Sequence, residues 1–234
     1  MASIIELLSN EKWPAENPDI IQLYSLATPN GQKIGIALEE MEISYEPHLI
    51  HIGQGDQSTD FFRQVNPNGK IPAIIDPDGP GGKPQAIMES AAILVHLANK
   101  SGKFMPSDPG EASEALQWLF FQVGHIGPMF GQFGHFWKFA RETCDHPYPL
   151  ERYTNETRRL LQVLEDRLAN RDYLLGDDYS VVDMATMPWV RCLGGFYDAA
   201  EHLGLGDFAK VNSWQERCLK RPATQRGIEV CSLG

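Results

Sequence analysis

The chain is expected to fold as an α/β unit followed by an all-α unit, and three observations carry that expectation. Over residues 19–100, short apolar runs of strand type alternate with stretches of helical periodicity. Past residue 110 only the helical period remains. Between the two patterns stands Ser101-Gly102-Lys103-Phe104-Met105-Pro106-Ser107-Asp108-Pro109-Gly110, a run of turn formers suited to an interdomain linker. The expected layout is an arm over 1–18, an α/β unit over 19–100, the linker over 101–110 and a helical unit over 111–234. The arm mixes acidic, Asn and Pro residues, which suits a segment lying on the surface. It lacks the basic-then-apolar order of a secretory signal.

In chain order, Ile20 to Ser25 is a short apolar strand that breaks at Thr28-Pro29-Asn30-Gly31. A helix follows, with Ile34, Ala37, Leu38 and Met41 at i, i+3, i+4, i+7 spacing. Tyr45 to Ile50 is strand-like, and Asp60 to Gln64 suits one or two helical turns. Ala73-Ile74-Ile75-Asp76 and Gln85-Ala86-Ile87-Met88 flank a Gly/Pro-rich turn and read as an antiparallel hairpin. Ser90 to Lys100 is a helix that buries Ile93, Leu94 and Leu97. The order βαβ then ββα describes a mixed sheet covered by helices, the layout of a thioredoxin-like domain.

In the second half, Leu116 to Met129 forms a long apolar and aromatic helix, and Leu160, Leu161, Leu164 and Leu168 form a stripe on the next. Ser180-Val181-Val182-Asp183 is a capping-box variant, in which Asp183 reaches back to the Ser180 N–H. Asp183 is therefore read as a folding determinant rather than a catalytic acid. The last helix turns Val211, Trp214 and Cys218 inward and stops at Arg221-Pro222.

A hydrophobic content of 42% with 22% charged residues is that of a soluble globular protein. The formal charge of -11 repels nucleic acid and anionic membrane, so neither is expected as a partner. No stretch approaches the ~20 apolar residues of a membrane span, and a cytoplasmic location follows by default. The four cysteines, Cys144, Cys192, Cys218 and Cys231, form no CxxC pair. His125 and His135 have no carboxylate or thiol at ligand spacing, so no metal is expected.

The chemistry concentrates in Asn66-Pro67-Asn68-Gly69-Lys70-Ile71-Pro72 and in Glu89-Ser90. Pro72 opens a strand, and a cis bond before it would turn the Ile71 backbone toward a peptide laid alongside. Glu89 suits an ammonium. Ser90, at a helix start, offers hydroxyl and amide to a carboxylate, helped by the positive end of the helix dipole. Lys70 supplies local positive charge, and Gln57 suits the far end of the same peptide. Thr28 and Asn30, at the start of the first long helix, are placed to donate to a thiolate and lower its pKa. This set fits a γ-glutamyl peptide such as glutathione. With no cysteine in the first 140 residues, the sulfur must come from that peptide.

Leu23 to Lys33, Asn66 to Ala73, Glu89 to Leu94 and Gln117 to Phe120 resemble cytosolic glutathione transferases of the nu class. The likeness is to the bacterial YghU and YfcG type and its fungal relatives, which include a nitrogen regulator. Gly134-His135-Phe136, Glu151-Arg152-Tyr153, Tyr197 to Ala200 and Arg221-Pro222-Ala223 extend it, so that it covers nearly all of Asp19 to Gly227. The resemblance implies a thioredoxin-like domain, an all-helical domain and a two-fold dimer. It also implies glutathione as co-substrate, as two molecules or as the disulfide in each subunit. By resemblance, γ-glutamyl contacts fall on Glu89 and Ser90, the cysteinyl contact on Ile71 next to Pro72, and sulfur donors on Thr28 and Asn30. Gln57, Lys70 and Arg152 supply further contacts, Arg152 offsetting a glycyl carboxylate. Ser58 departs from the family's phenylalanine, and Ala91 stands where glycine is common. The activity implied is disulfide reduction on small thiols and disulfides. Conjugation to electrophiles, peroxide reduction and non-enzymatic ligand binding remain as alternatives.

Overall fold

Four strands form one mixed sheet in the computed structural model, which describes residues 4–233. The strands are β1 (Ile21–Ser25), β2 (Tyr45–Leu49), β3 (Ala73–Gly79) and β4 (Lys83–Met88), in the order β2-β1-β3-β4. β1 runs parallel to β2 and antiparallel to β3, and β3 pairs antiparallel with β4. β1 is buried along its whole length, as a central strand must be when both faces are covered. The covering helices are α1 (Ile4–Leu8), α2 (Pro29–Met41), α3 (Asp60–Val65) and α4 (Ser90–Ser101). This is the thioredoxin-like arrangement expected from the alternation of periods.

The sharp start of α2 has a local cause. Thr28 is its N-cap and accepts from the Gly31 N–H, while Pro29 fills the first helical position, where no amide hydrogen is required. The helix stops at Glu42, which sits in the left-handed region at φ 59°.

Two expectations about the chain ends are corrected. Of the arm expected over 1–18, residues 1–3 lie outside the described residues, and the rest is more than a surface segment. Leu7 and Trp13 are buried in one cluster with Tyr24, Ile50, Phe62, Val65, Ala73 and Ile75. The Trp13 Nε1–H donates to the Leu49 carbonyl at 2.8 Å, and Lys12 pairs with the buried Asp56. Ile4, Leu7 and Leu8 stand at i, i+3, i+4 for a single turn of helix, a signal too short to stand out from the polar residues around it.

At the other end, one compact unit runs to Lys103 and regains the chain from Ala223 onward, and the second spans Phe104–Pro222. The helical unit therefore does not reach the C-terminus, as the span 111–234 assumed. The returning segment includes α11 (Pro222–Gly227). It is held by Thr224 Oγ1 to Glu40, Gln32 Nε2 to the Ile228 carbonyl, and the Ala27 N–H to the Cys231 carbonyl. Gly35 and Gly227 make the approach possible, because a Cβ on either would overlap the facing backbone.

The second unit holds α5 (Pro109–Phe121), α6 (Gly127–Gly134), α7 (Pro147–Arg167), α8 (Val181–Gly194), α9 (Ala200–Leu203) and α10 (Ala209–Leu219). α5 and α6 are one helical run joined by a π-helical turn at Gln122–Ile126, and a second such turn follows at His135–Phe139. Ala115, Leu119, Gln122, Ile126, Phe130 and Phe133 form its buried stripe. The run is thus longer than the span from Leu116 to Met129 expected from sequence. The stripe from Leu160 to Leu168 is buried, as are Val211, Trp214 and Cys218. Pro222 begins a short helix instead of only ending one. The capping box at Ser180 and Asp183 is present. The Asp183 carboxylate also accepts from the Leu174 N–H at 2.9 Å and from Trp214 Nε1 at 2.8 Å, tying the start of α8 to α10. Among the described residues, no helix is long and apolar enough to cross a membrane.

Candidate functional site

A cavity of about 190 Å³ opens in the first unit, lined by Asn30, Asn66, Asn68, Lys70, Ile71, Pro72, Glu89 and Ser90. Three elements meet there: the first turn of α2, the loop entering β3, and the start of α4. The Ile71–Pro72 peptide bond is cis. The loop before it is clamped by Asn66, which is almost fully buried. Its Nδ2 donates to the Lys70 carbonyl at 2.6 Å, and its Oδ1 accepts from the Asn68 N–H at 2.9 Å. Gly69 takes φ 62° inside this clamp, a conformation that suits glycine. Asn66 thus sets where Lys70 and Ile71 face the cavity.

Glu89 sits at φ 69° and ψ 115°, a conformation that residues with a side chain rarely adopt. It is exposed, and its side chain caps no helix amide. Its carbonyl accepts the first intrahelical bond, from Ile93 at 2.9 Å. The amides ahead of Ile93 at the helix start have no intrahelical partner and face the end of α4 where anions are favoured. A carboxylate for an ammonium therefore stands beside amides and a hydroxyl for a carboxylate.

One group at this site was missed by sequence reasoning. Lys33, on α2, is only 1% exposed, and its Nζ donates to Ser90 Oγ at 3.1 Å. Burial pulls its pKa down to about 7, against the opposing pull of the Glu89 carboxylate. The sequence signal was a single position, a lysine at the edge of the apolar run Ile34 to Leu38.

The other expected residues are placed less directly. Thr28 is not among the cavity-lining residues. Its hydroxyl accepts from the Gly31 N–H and donates to the Leu26 carbonyl, both at 3.5 Å, the weak end of hydrogen bonding. Gln57 lies in the 3-10 turn Asp56–Ser58, whose backbone is close to the β3 entry: a Cβ on Gly69 would meet the Gln57 carbonyl at 3.1 Å. Its side-chain oxygen is buried with no hydrogen-bond partner. Arg152 is exposed in the second unit and lines a separate cavity of about 610 Å³ with Tyr148, Glu151, Tyr153, Glu156 and Arg159. That cavity is the larger, but Arg159 is already paired with Glu156 at 2.8 Å. The smaller one has the donor and acceptor set for an amino acid moiety.

All four cysteines are free thiols, and none lines the smaller cavity. The fold nonetheless returns Cys231 to the first unit, outside the cavity lining. Its Sγ lies 3.8 Å from the His48 carbonyl, and burial pushes the thiol up to about 11. It is therefore protonated at neutral pH and a poor nucleophile.

A thioredoxin-like unit with a cis-proline loop beside a helix-start pocket, followed by an all-helical unit, is the architecture of the glutathione transferases. The sequence matches the family models for the glutathione S-transferase N-terminal domain over residues 27–100 and C-terminal domain over 127–222, and the chain belongs to that family. It is 42% identical over 216 residues to the disulfide-bond oxidoreductase YfcG of Escherichia coli K12, covering 92% of this chain and 97% of that protein. A glutathione transferase of Burkholderia graminis, crystallised with two glutathione molecules per subunit, matches with TM-score 0.96 and 49% identity, over 100% of this chain and 98% of that one. One from Pseudomonas putida, with one glutathione disulfide per subunit, gives TM-score 0.94 and 44% identity, over 98% and 99% of the two chains.

Proposed function

We propose that this chain is a glutathione-dependent disulfide reductase in which bound glutathione supplies the nucleophile. The observation that carries the reading is a pocket equipped for a γ-glutamyl group and lined by no cysteine. Glu89 takes the α-ammonium, Ser90 and the α4 amides take the α-carboxylate, and the Ile71 backbone pairs with the cysteinyl unit. Lys70 and Gln57 act on the remainder of the peptide, and Arg152 offers its charge to a carboxylate in the cavity of the second unit. Asn30, which lines the pocket, and Thr28 donate to the glutathione sulfur. The weak bond from Thr28 to Leu26 is one that a thiolate, a charged acceptor, out-competes.

In the first step the glutathione thiolate attacks one sulfur of a disulfide substrate. A glutathionyl mixed disulfide forms and one substrate thiolate leaves. A second glutathione thiolate then attacks the glutathionyl sulfur, giving glutathione disulfide and the second substrate thiolate. Solvent protons neutralise both leaving groups. Two glutathiones in one subunit, as in the Burkholderia graminis relative, suit this order. A two-fold dimer is supported by the exposed Leu116 and Phe120 (39% and 71%), one turn apart on α5. Glutathione chemistry and four free thiols both suit the reducing cytoplasm.

Asn30→Ala tests the assignment. A hydrogen bond to a charged group contributes about 1.5–3 kcal/mol, so its loss lowers kcat/KM for a small disulfide by roughly 10–150-fold. Near-wild-type rates would remove Asn30 from the mechanism. Parallel rates with an aryl halide and a hydroperoxide establish whether disulfides are the preferred electrophile.

A further inference from the structure

Lys33 is a donor-only group while it carries its charge. It is buried behind the pocket, and its Nζ lies 3.1 Å from the Ser90 hydroxyl oxygen. The direction of that bond decides what Ser90 can do on its other side. We propose that Lys33 is a positioning residue whose ammonium donates to Ser90 Oγ, leaving the Ser90 hydrogen to the ligand's α-carboxylate, and that binding of this carboxylate draws a proton onto Lys33. The proposal rests on the γ-glutamyl reading of the pocket and deepens it.

Only the charged state fixes the polarity of the bond. A neutral amine gains a lone pair, which lets Ser90 turn its hydrogen inward to Lys33 and present its own lone pairs to an incoming carboxylate, an arrangement that repels it. A charged amine reverses the chain. Burial holds the empty site near the balance point, with the lysine at about 7. Glu89 is the carboxylate that acts on Lys33 from the start of α4, and it favours the ammonium. Lys70, exposed on the loop entering β3, lines the same pocket. A bound α-carboxylate adds a second negative charge within reach of Lys33, while Glu89 is partly neutralised by the ligand's α-ammonium. The net pull on the proton is upward because the α-carboxylate shares Ser90 with Lys33. Ligand affinity then falls above pH 7, where the empty site must first be reprotonated.

The experiment uses the full chain and S-methylglutathione, whose blocked sulfur cannot itself release a proton. Nitrogen-detected NMR of 15N-lysine-labelled protein follows the Lys33 ammonium from pH 6 to 9, with and without ligand, while calorimetry gives Kd. The expected result is a lysine titrating near 7 in the free protein and at least one pH unit higher in the complex, with affinity falling between the two values by about tenfold for each unit that separates them and levelling off above the higher one. Lys33→Met is expected to weaken binding tenfold or more in the wild-type background but less than threefold in Ser90→Ala, because its action passes through that hydroxyl.

A Lys33 signal that does not titrate below pH 9, or does not move when ligand binds, overturns the proposal even where Lys33→Met fails to fold. Additive effects in the double-mutant cycle overturn it as well. Absence of any S-methylglutathione binding to wild type sinks the γ-glutamyl reading and this inference together. Binding with an unmoved Lys33 titration sinks the inference alone.

Discussion

Glu89 is asked to meet two opposed demands. Its carboxylate is the pocket's acceptor for an ammonium, yet its backbone sits at φ 69°, where a side chain is strained by ~1–3 kcal/mol. Glycine would relieve that strain and is acceptable at an N-cap, at the expense of about 0.5–1 kcal/mol of backbone entropy. Glu89→Gly is therefore expected to be more stable than wild type by about 1 kcal/mol, or ~2–4 °C in Tm, while losing glutathione affinity by roughly 10–100-fold. Glu89→Gln keeps the strain and loses only the charge, so thermal melts of the two variants separate backbone from carboxylate. A Glu89→Gly protein less stable than Glu89→Gln would contradict the reading of this residue as strained for binding. Lys33 shows the same tension, since a buried ammonium is costly for folding and is retained where it touches Ser90.

At the scale of elements, α4 is tied to the sheet by a charge cluster as well as by its apolar face. Asp76 on β3 is buried, and its carboxylate meets His96 Nε2 at 2.7 Å and Lys100 Nζ at 3.1 Å, both on α4. Burial alone would raise its pKa. Hydrogen bonds from His96, Lys100 and the Asp78 N–H outweigh that and hold it below the ordinary 3.8. A carboxyl depressed in the folded state contributes stability above its unfolded value and loses it as pH falls through the folded one. Wild type should thus lose stability below about pH 4, and Asp76→Asn should show a flatter acid limb with a loss of about 2–4 kcal/mol at pH 7. Urea melts at pH 7, 4 and 3 check both. The elements themselves were legible in the sequence where one signal repeats. β1, α2 and the β3–β4 hairpin carry apolar periods bounded by Pro, Gly or Asn, and the Ser180–Asp183 capping box is a spacing rule. What stayed hidden has no period. The Asn66 clamp is a side chain folding back on its own loop, Lys33 breaks an apolar pattern at a single position, and the Glu89 backbone angle leaves no mark in composition. Pocket residues adjacent in sequence, such as Ile71-Pro72 and Glu89-Ser90, were found; Lys33, which reaches Ser90 from behind the lining, was not.

For the whole molecule, the first unit is assembled from both ends of the chain, and its integrity depends on a pair of glycines nearly 200 residues apart. Gly35 on α2 and Gly227 at the end of α11 let two backbones meet, with the Ile36 N and Cα on one side and the Gly227 carbonyl on the other. Neither position has a positive φ, so close approach and not conformational freedom is the reason for glycine. A methyl at Gly227 would meet backbone atoms, which cannot swing aside as a side-chain tip can. The result is overpacking, at about 1–3 kcal/mol or more. Because the same segment accepts bonds from Gln32 and Ala27, displacing it also loosens the start of α2, where Asn30 faces the pocket. Gly227→Ala is therefore expected to lower Tm by at least ~2–4 °C and to raise KM for glutathione, although residue 227 touches no ligand. Gly206→Ala is the matched control, since a Cβ there meets nothing within 4 Å. Hydrogen exchange adds the spatial test: amides of α2 should lose protection in Gly227→Ala while those of α7 keep theirs. Equal loss in both helices would mean that the C-terminal segment does not stabilise the first unit in particular.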